Sequence, residues 1–556
     1  MPHLRPLTEL PTHEVRNQPP VFANVNLWSS DLALRDAALR EAGDDEAWLA
    51  DQVEPFGART GSAEVIRWGF DANRHRPELV NFDRFGQRVD EVRFHPCYHK
   101  LMALAVEVGM PSVAWTETER PGHLAHAVLE FLMSQAEPGV CCPLSMTYAV
   151  VPALRHQPDL ADELLPKLTA RRYDPRFMPI GEKYGLTMGM AMTEKQGGSD
   201  VRANTTKATP LGGGEYELLG HKWFCSAPMS DGFLVLAQAP GGLSCFFVPR
   251  WRPDGIRNPF YVQRLKDKLG DHANASSEIE FYGTWARMVG EEGRGVRTII
   301  EMVHHTRLDC VVSPAAFMRQ SVANACWHAA HRSAFGKILI DQPLMRGVLA
   351  DLVLESEAGT ILAMHVAKSF DDSSKEGEVG VRARLLSRLM TPVAKYWLNK
   401  RLPELVYESM ECHGGAGYIE EGVMARLYRQ SPLNSIWEGS GNVICLDVLR
   451  AMGREPACVE VMIDELRSAT GSDKRYDQFV AGLSDRLTKP VEQAEARQLC
   501  ESLGLALQGS LLLRYAPSFV ADAFCAGRLE GEGRCYGTLP AGVDVGALLE
   551  RGRPAV

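Results

Sequence analysis

The spacing of apolar and polar positions divides the chain into stretches of different character. From about residue 34 to residue 184, apolar side chains recur at helical spacing, as in the run 123–132. From Leu186 to about Phe281 the pattern changes to short apolar runs separated by glycine-rich turns, which is typical of β-strands. Helical spacing returns at Gly295. The chain is therefore predicted to be α+β, with a β region between two helical regions.

Individual elements and domains follow from the same pattern. Strands are predicted at 187–192, 216–219, 233–238, 243–248 and 277–281, and bundle helices at about 295–335, 343–372, 380–412 and 441–452. Residues 1–32, which contain five prolines, are predicted to form an extended arm, and residues 68–92 an irregular segment. The predicted domains are 1–184 (arm and helices), 185–290 (β), 291–452 (helical bundle) and 453–556 (helical extension).

Composition narrows the functional classes. A chain of 556 residues with 45% hydrophobic and 23% charged residues is typical of a globular protein, and its net charge of −10 argues against a whole-molecule nucleic-acid binder. Its apolar runs are too short for a membrane helix, and its first residues lack the apolar core of a secretory signal. The 13 cysteines include no C-x-x-C pair and indicate reduced thiols in a cytoplasmic protein. Histidine and cysteine spacing predicts no metal site.

The stretch 434–442 holds the strongest candidate for chemistry. Glu438 lies between Trp437 and Gly439, and an apolar run that predicts a helix follows at once. An indole beside a carboxyl excludes water and raises its pKa, as a base working at neutral pH requires. Gly439 permits a close approach by a cofactor or thioester, and Ser440 or Asn442 can cap the helix. A plain loop-to-helix junction gives the same pattern, so both interpretations stay open.

A second candidate is the segment 191–200, Ala-Met-Thr-Glu-Lys-Gln-Gly-Gly-Ser-Asp, where a predicted strand ends in hydroxyl and backbone donors. Gly-Gly-Ser-Asp alone is also a common tight turn. The full ten residues, however, resemble the first signature of the acyl-CoA dehydrogenase family. Residues 437–440 are similar to the family's aromatic-Glu-Gly motif, in which the glutamate is the catalytic base.

The second family signature is matched by residues 411–418 together with Glu421 and Arg426. Its last position, usually Asp, Glu or Asn, holds Gln430. The flanks resemble the AidB branch of the family, which is linked to protection against DNA alkylation and includes DNA-binding flavoproteins. The segments that carry this second resemblance are 12–13, 17–19, 82–86, 89–96, 220–224, 265–270 and 434–442.

The resemblance implies an FAD-dependent dehydrogenase with a helical N-terminal domain, a middle β-barrel domain, a C-terminal helical bundle and a helical extension. Glu438 would be the base, removing the α-proton of an acyl-CoA. Cofactor contacts are implied for Met192, Thr193, Gly198, Ser199, Phe224, Cys225, Ser226, Arg332, Phe335, Gln342, Glu411, Gly415, Ile436, Trp437, Gly439, Ser440 and Asn442. Substrate contacts are implied for Thr193, Ser199, Ser226 and Arg307.

The same resemblance implies a homotetramer. Arg332 and Phe335 match an Arg-x-x-Phe-Gly motif that grips the dinucleotide of a neighbouring subunit, and Gln342 matches its later glutamine one residue short. Glu411 stands where relatives have glutamine, and an ionised carboxylate cannot donate a hydrogen bond, which weakens that contact.

Two functional hypotheses follow. The first is an enzyme with low activity on short or branched acyl-CoA, favoured by Glu438. The second is a non-catalytic, flavin-bearing protective protein that binds double-stranded DNA, favoured by the flanking motifs. Residues 451–556 are net acidic, so a basic C-terminal tail does not carry such binding.

Overall fold

The first third of the protein is a set of helices around one fully buried helix. The computed structural model describes residues 8–531 and 533–554. The helices are α1 Leu32–Ala42, α2 Glu46–Thr60, α3 Ala63–Arg74, α4 Pro96–Glu107, α5 Val113–Thr116, α6 Gly122–Ala136, α7 Cys141–Leu154 and α8 Pro158–Leu168. Every residue of α6 is buried, as expected of a central helix that other helices cover on all sides.

One prediction for this region holds in part and another is wrong. The extended arm carries a short hairpin, β1 Glu9–Leu10 and β2 His13–Glu14, and its second half packs into the core, where Trp28 is only 2% exposed. The segment 68–92, expected to be irregular, begins inside α3 and then forms an antiparallel hairpin of β3 Glu78–Phe82 and β4 Arg88–Arg93. The buried positions of α3, Val65, Trp68, Gly69 and Ala72, do follow a helical spacing, which the prediction missed.

The middle region is a mixed seven-stranded sheet. Its strands are β5 Met188–Ala191, β6 Lys207–Gly212, β7 Glu215–Ser226, β8 Gly232–Ala239, β9 Gly242–Pro249, β10 Phe260–Leu265 and β11 Ser276–Val289. The order is β10-β11-β7-β6-β8-β5, and β9 joins β11 to β8. Together with the single β6–β8 pair Lys207↔Gln238, this link closes the sheet into a small barrel. The five predicted strands are present, and β6 and β10 were missed.

The C-terminal half is a helical bundle followed by helices that pack on it. The bundle and its linking hairpin are α9 Gly295–His331, β12 Ser333–Ala334, β13 Lys337–Ile338, α10 Pro343–Ser373, α11 Gly377–Glu411, α12 Val423–Gln430 and α13 Gly441–Arg454. The following helices are α14 Ala457–Arg467, α15 Lys474–Leu487, α16 Ala496–Tyr515, α17 Ser518–Phe524 and α18 Val545–Gly552. Within the described residues, no helix is long and apolar enough to cross a membrane.

The helical extension shares its core with the bundle. On α16, Gly504 lies against Trp397 of α11, where an added Cβ would come within 2.7 Å of the indole. The Trp397 Nε1 donates to Gln508 Oε1 at 2.7 Å. Because α16 packs against both α10 and α11, the extension stabilises the helices that carry residues of the candidate site.

Candidate active site

The loop between α12 and α13 has an unusual backbone at Glu438. This residue has a φ of 56°, and Gly439 follows with a φ of 103°. A left-handed conformation costs a non-glycine residue roughly 1–3 kcal/mol and persists only where the surroundings hold it. The contacts around the loop must therefore impose this conformation.

Three consecutive carbonyl groups of the loop accept hydrogen bonds from cationic side chains. Lys395 on α11, which is 1% exposed, donates from Nζ to Trp437 O and to Gly439 O, both at 2.7 Å. Arg307 on α9 donates from Nε to Glu438 O at 3.1 Å. These two side chains fix the loop from the bundle side, and burial lowers the pKa of Lys395 to about 8.

The Glu438 carboxyl group is held in a defined position. Thr306 on α9 donates from Oγ1 to Glu438 Oε2 at 2.8 Å. Burial raises the pKa of Glu438 above its ordinary value, while the Thr306 hydroxyl, Lys395 and Arg307 act in the opposite direction. A fixed carboxyl with a raised pKa has the properties expected of a base.

The backbone N–H groups of the same loop have a different environment from its carbonyl groups. Among the hydrogen bonds of the described residues, none is donated by the backbone N–H of Glu438. Ser440 takes the N-cap position of α13 but its side chain caps nothing. Asn442 lies inside α13, so the prediction that it caps the helix is wrong, and the one for Ser440 holds in position only. Donors at the start of the helix are left for another acceptor.

A charge network anchors Arg307. Its Nη1 donates to Asp447 Oδ2 at 2.8 Å, and Arg388 donates to the same carboxylate at 2.9 Å. The pKa of Asp447 lies below its ordinary range because the two guanidinium groups outweigh the effect of burial. Asp447 lies on α13, so the network ties the helix after the loop to α9 and α11.

On the β domain, the predicted cofactor positions surround a tight turn. Gly198 is required there, since an added Cβ would lie 2.4 Å from Thr193 Oγ1. The carboxylate of Glu194 holds the turn in place by accepting hydrogen bonds from Lys222 Nζ at 2.9 Å and from Thr205 N at 2.7 Å. Ser199 is exposed beyond it. The turn therefore presents hydroxyl and backbone donors on a rigid base.

Aromatic and polar side chains lie beside this turn. Phe224 is 52% exposed and lies next to Trp223. The backbone N–H of Trp223 donates to Thr193 O at 2.8 Å. Ser226 is partly exposed, with its hydroxyl 3.4 Å from Ser276 Oγ. Cys225 has a buried side chain, so it offers a ligand only its backbone. An exposed aromatic next to hydroxyl and amide donors suits a flat, polar cofactor.

The remaining predicted positions fall into two groups. Ile436, Trp437, Gly439, Ser440 and Asn442 all belong to the Glu438 loop or the first turn of α13, and Met192 directly follows β5. Arg332, Phe335, Gln342, Glu411 and Gly415 lie at the far end of α9, where the rings of His328 and His413 are 4.7 Å apart.

The far group cannot share one ligand with Glu438. The stretch of α9 from Arg307 to Arg332 spans roughly 37 Å at a rise of 1.5 Å per residue. Phe335 at the hairpin tip is 100% exposed and has a left-handed φ of 52°. Gln342 Nε2 donates to Ala334 O at 3.0 Å and supports the hairpin. The exposed tip therefore lies apart from the Glu438 loop, on the surface of the chain.

Sequence patterns did not identify Thr306, Lys395 and Asp447, although all three build the site. Thr306 and Asp447 carry no local signal, because their partners are distant in the chain. Lys395 does carry one: it is a lone lysine in the apolar run 389–398, and a buried lysine needs acceptors.

Three family models match the chain in succession. Residues 17–175 match the adaptive response protein AidB N-terminal domain, residues 189–284 the acyl-CoA dehydrogenase middle domain, and residues 293–453 the acyl-CoA dehydrogenase C-terminal domain. The matched segments coincide with the helical region, the sheet and the bundle.

Relatives extend this similarity over almost the whole chain. The Escherichia coli (strain K12) "Putative acyl-CoA dehydrogenase AidB" is 43% identical over 524 residues, covering 94% of this chain and 95% of that protein. "Acyl-CoA dehydrogenase family member 11" of Caenorhabditis elegans is 30% identical, covering 83% and 76%.

Solved structures show the same similarity at the level of the fold. The structure of Caenorhabditis elegans ACDH-11 in complex with C11-CoA superposes with a TM-score of 0.84 at 27% identity, covering 95% of this chain and 96% of that one. The structure of the Bd2924 apo-form gives a TM-score of 0.80 at 29% identity, covering 91% of this chain and 100% of that one.

Proposed function

This chain belongs to the acyl-CoA dehydrogenase family, in its AidB branch, and from that premise we propose that Glu438 removes the α-proton of an acyl-CoA thioester. The observation that carries the proposal is the loop around Glu438. Its carboxyl is fixed by Thr306, its carbonyl groups are held by Lys395 and Arg307, and its N–H is free. Anaerobic bleaching of the bound flavin by an acyl-CoA is the experiment that tests it.

Two groups of Glu438, its carboxylate and its backbone N–H, have separate functions in proton removal. Glu438 accepts the α-proton at a carboxylate oxygen, and burial keeps that carboxyl's pKa raised. The free N–H of Glu438 suits the thioester carbonyl oxygen, where negative charge develops. Because the three loop carbonyls are already bonded, the donor is held ready before substrate arrives.

FAD is the cofactor of this family, and the donor set of the β domain fits it. Thr193 and Ser199 provide hydroxyls, Gly198 leaves room for close approach, and Phe224 provides an exposed aromatic face. We assign the remaining cofactor contacts to the positions that the family motifs imply. Bound FAD supplies the hydride acceptor for the β-hydrogen.

Trp437 supports a preference for short or branched acyl groups and a low activity. Its Nε1 donates to Asn434 Oδ1 at 2.6 Å, so the indole beside Glu438 is fixed in place. A fixed indole restricts the space next to the base more than a smaller aromatic would. The relative solved with C11-CoA supports an acyl-CoA as the substrate class.

We further propose a homotetramer in which Phe335 and Arg332 complete a neighbour's flavin site. Phe335→Asp should then lower both assembly and flavin content, since an exposed aromatic at an interface would become a buried charge. Sedimentation and the flavin-to-protein absorbance ratio measure the two effects. Phe85→Asp is the matched control, because Phe85 is also exposed (71%) but lies on the β3–β4 turn. A Phe335→Asp tetramer with full flavin content would contradict the assignment.

The AidB-type N-terminal domain favours a second role, association with double-stranded DNA in protection against alkylation. We expect weak direct binding, because the net charge of −10 opposes it. If a local cationic surface carries the contact, affinity should fall steeply between low and physiological salt. Fluorescence anisotropy with a labelled duplex measures it, and no binding at low salt would exclude this role. We place the protein in the cytoplasm, where reducing conditions suit its 13 free cysteines.

A further inference from the structure

A cationic pocket lies away from the Glu438 loop, between α3, the segment before β11, and α12. It has a volume of about 440 Å³, and its lining includes Arg74, Arg76, Lys268, Arg426 and Arg429. Glu420 is the only carboxylate in that lining. None of the lining residues is among the candidate flavin or substrate contacts. We call this cavity the α12 pocket.

Local ion pairs neutralise only part of its charge. Arg429 donates two hydrogen bonds to the Glu420 carboxylate, and Arg76 lies 2.5 Å from Asp267. Lys268 donates to Asn274 O at 2.8 Å, a neutral acceptor. Arg74, Lys268 and Arg426 therefore remain without a direct carboxylate partner among the described residues.

Arg426 is the buried cation of this pocket whose donors are least satisfied. It is 4% exposed, and only its Nη2 is bonded, to Ala136 O at 3.0 Å. Its Nε and Nη1 have no hydrogen-bond partner among the described residues. Leaving buried donors of a charged group unpaired is costly, so a ligand that accepts from them would gain correspondingly.

The nearby carboxyl groups do not accept hydrogen bonds from Arg426. Glu137 is already occupied, accepting from Asn73 Nδ2 and from Val140 N, both at 2.8 Å. Asp271 is buried, and burial raises its pKa to about 6. Both lie close enough to influence Arg426, yet neither forms an ion pair with it in the part of the chain that the structure describes.

We propose that the α12 pocket binds a phosphoryl group. A guanidinium presents parallel N–H groups that match phosphate oxygens, and Arg74 and Lys268 add charge at the same cavity. Phe70 is covered by the guanidinium groups of Arg426 and Arg74, at 5.0 and 5.8 Å from its centroid. The ring is thus not free to stack on a base, and recognition is directed at the phosphate.

Calorimetry on the flavin-loaded, full-length protein tests this proposal, with inorganic phosphate and AMP as probes. We expect saturable binding that Arg426→Gln weakens at least about tenfold, the effect of one charge-assisted hydrogen bond. Arg74→Gln should weaken it several-fold, and it keeps the test valid if the buried substitution prevents folding. Lys489→Gln, which removes an exposed charge elsewhere, should change nothing.

Several results would overturn the proposal. These are an absence of saturable binding with both probes, unchanged affinity in Arg426→Gln and Arg74→Gln, and binding only by flavin-free protein, which would assign the pocket to the phosphates of FAD. The last result would leave the function of Glu438 untouched. A duplex oligonucleotide distinguishes the sources of the phosphoryl group. Displacement of AMP supports a nucleic-acid backbone, and persistence of AMP binding supports a small phosphate ester.

Discussion

Replacement of Glu438 by glutamine should slow single-turnover bleaching of the flavin by an acyl-CoA by about 10²–10⁴-fold, the usual effect of losing a general base. The amide keeps the size of the side chain and can still accept from Thr306 Oγ1, but it cannot take the α-proton. Anaerobic stopped-flow absorbance measures the rate. In the wild type the rate should fall on acidification at a pH above the ordinary carboxyl range, because burial raises the pKa of Glu438.

The control for this substitution is Glu460→Gln, which removes an exposed carboxylate on α14. Both variants should keep their flavin and their oligomeric state. Equal bleaching by wild type and Glu438→Gln would show that another group is the base. If the wild type itself bleaches with no acyl-CoA tried, the non-catalytic, DNA-associated function becomes the better proposal.

Lys395→Met should damage both stability and catalysis. The substitution leaves the carbonyl groups of Trp437 and Gly439 without their shared donor, which costs roughly 2–4 kcal/mol of unfolding free energy. Relief from burying an ammonium group offsets part of that cost. A loop that shifts by about 1 Å can lose about 10²-fold in rate, so the bleaching rate should fall even where the variant is folded.

Lys474→Met is the control, since Lys474 is an exposed lysine on α15, a helix that does not carry the Glu438 loop. Denaturant unfolding and flavin bleaching are measured on both variants at a temperature where each is folded. A Lys395→Met protein with wild-type bleaching would show that Arg307 and Thr306 alone hold the loop.

Sequence periodicity predicted the elements that bury a regular face. The helices α9, α10, α11 and α13 begin and end within a few residues of their predicted limits. The strand β6 was missed since most of its residues are exposed and it contains Pro210 and Gly212. The burial of Trp28 depends on contacts with distant helices, which no local pattern contains.

For the candidate site, the sequence identifies the central residue but not the contacts that position it. Glu438 is recognisable from its own neighbours, as a carboxylate between an indole and a glycine. Its geometry is not, because Thr306 is over a hundred residues away and Lys395 lies on another helix. The left-handed backbone at Glu438 could not be read from the sequence either, since glutamate has no preference for it.

The left-handed backbone at Glu438 also has an evolutionary consequence. Glycine or asparagine would occupy this conformation at lower cost, so drift toward greater thermodynamic stability would remove the glutamate. A glutamate in this strained conformation is expected only where its carboxyl group is needed, at a cost in thermodynamic stability. A lineage released from that need would be expected to lose this residue before it lost the fold.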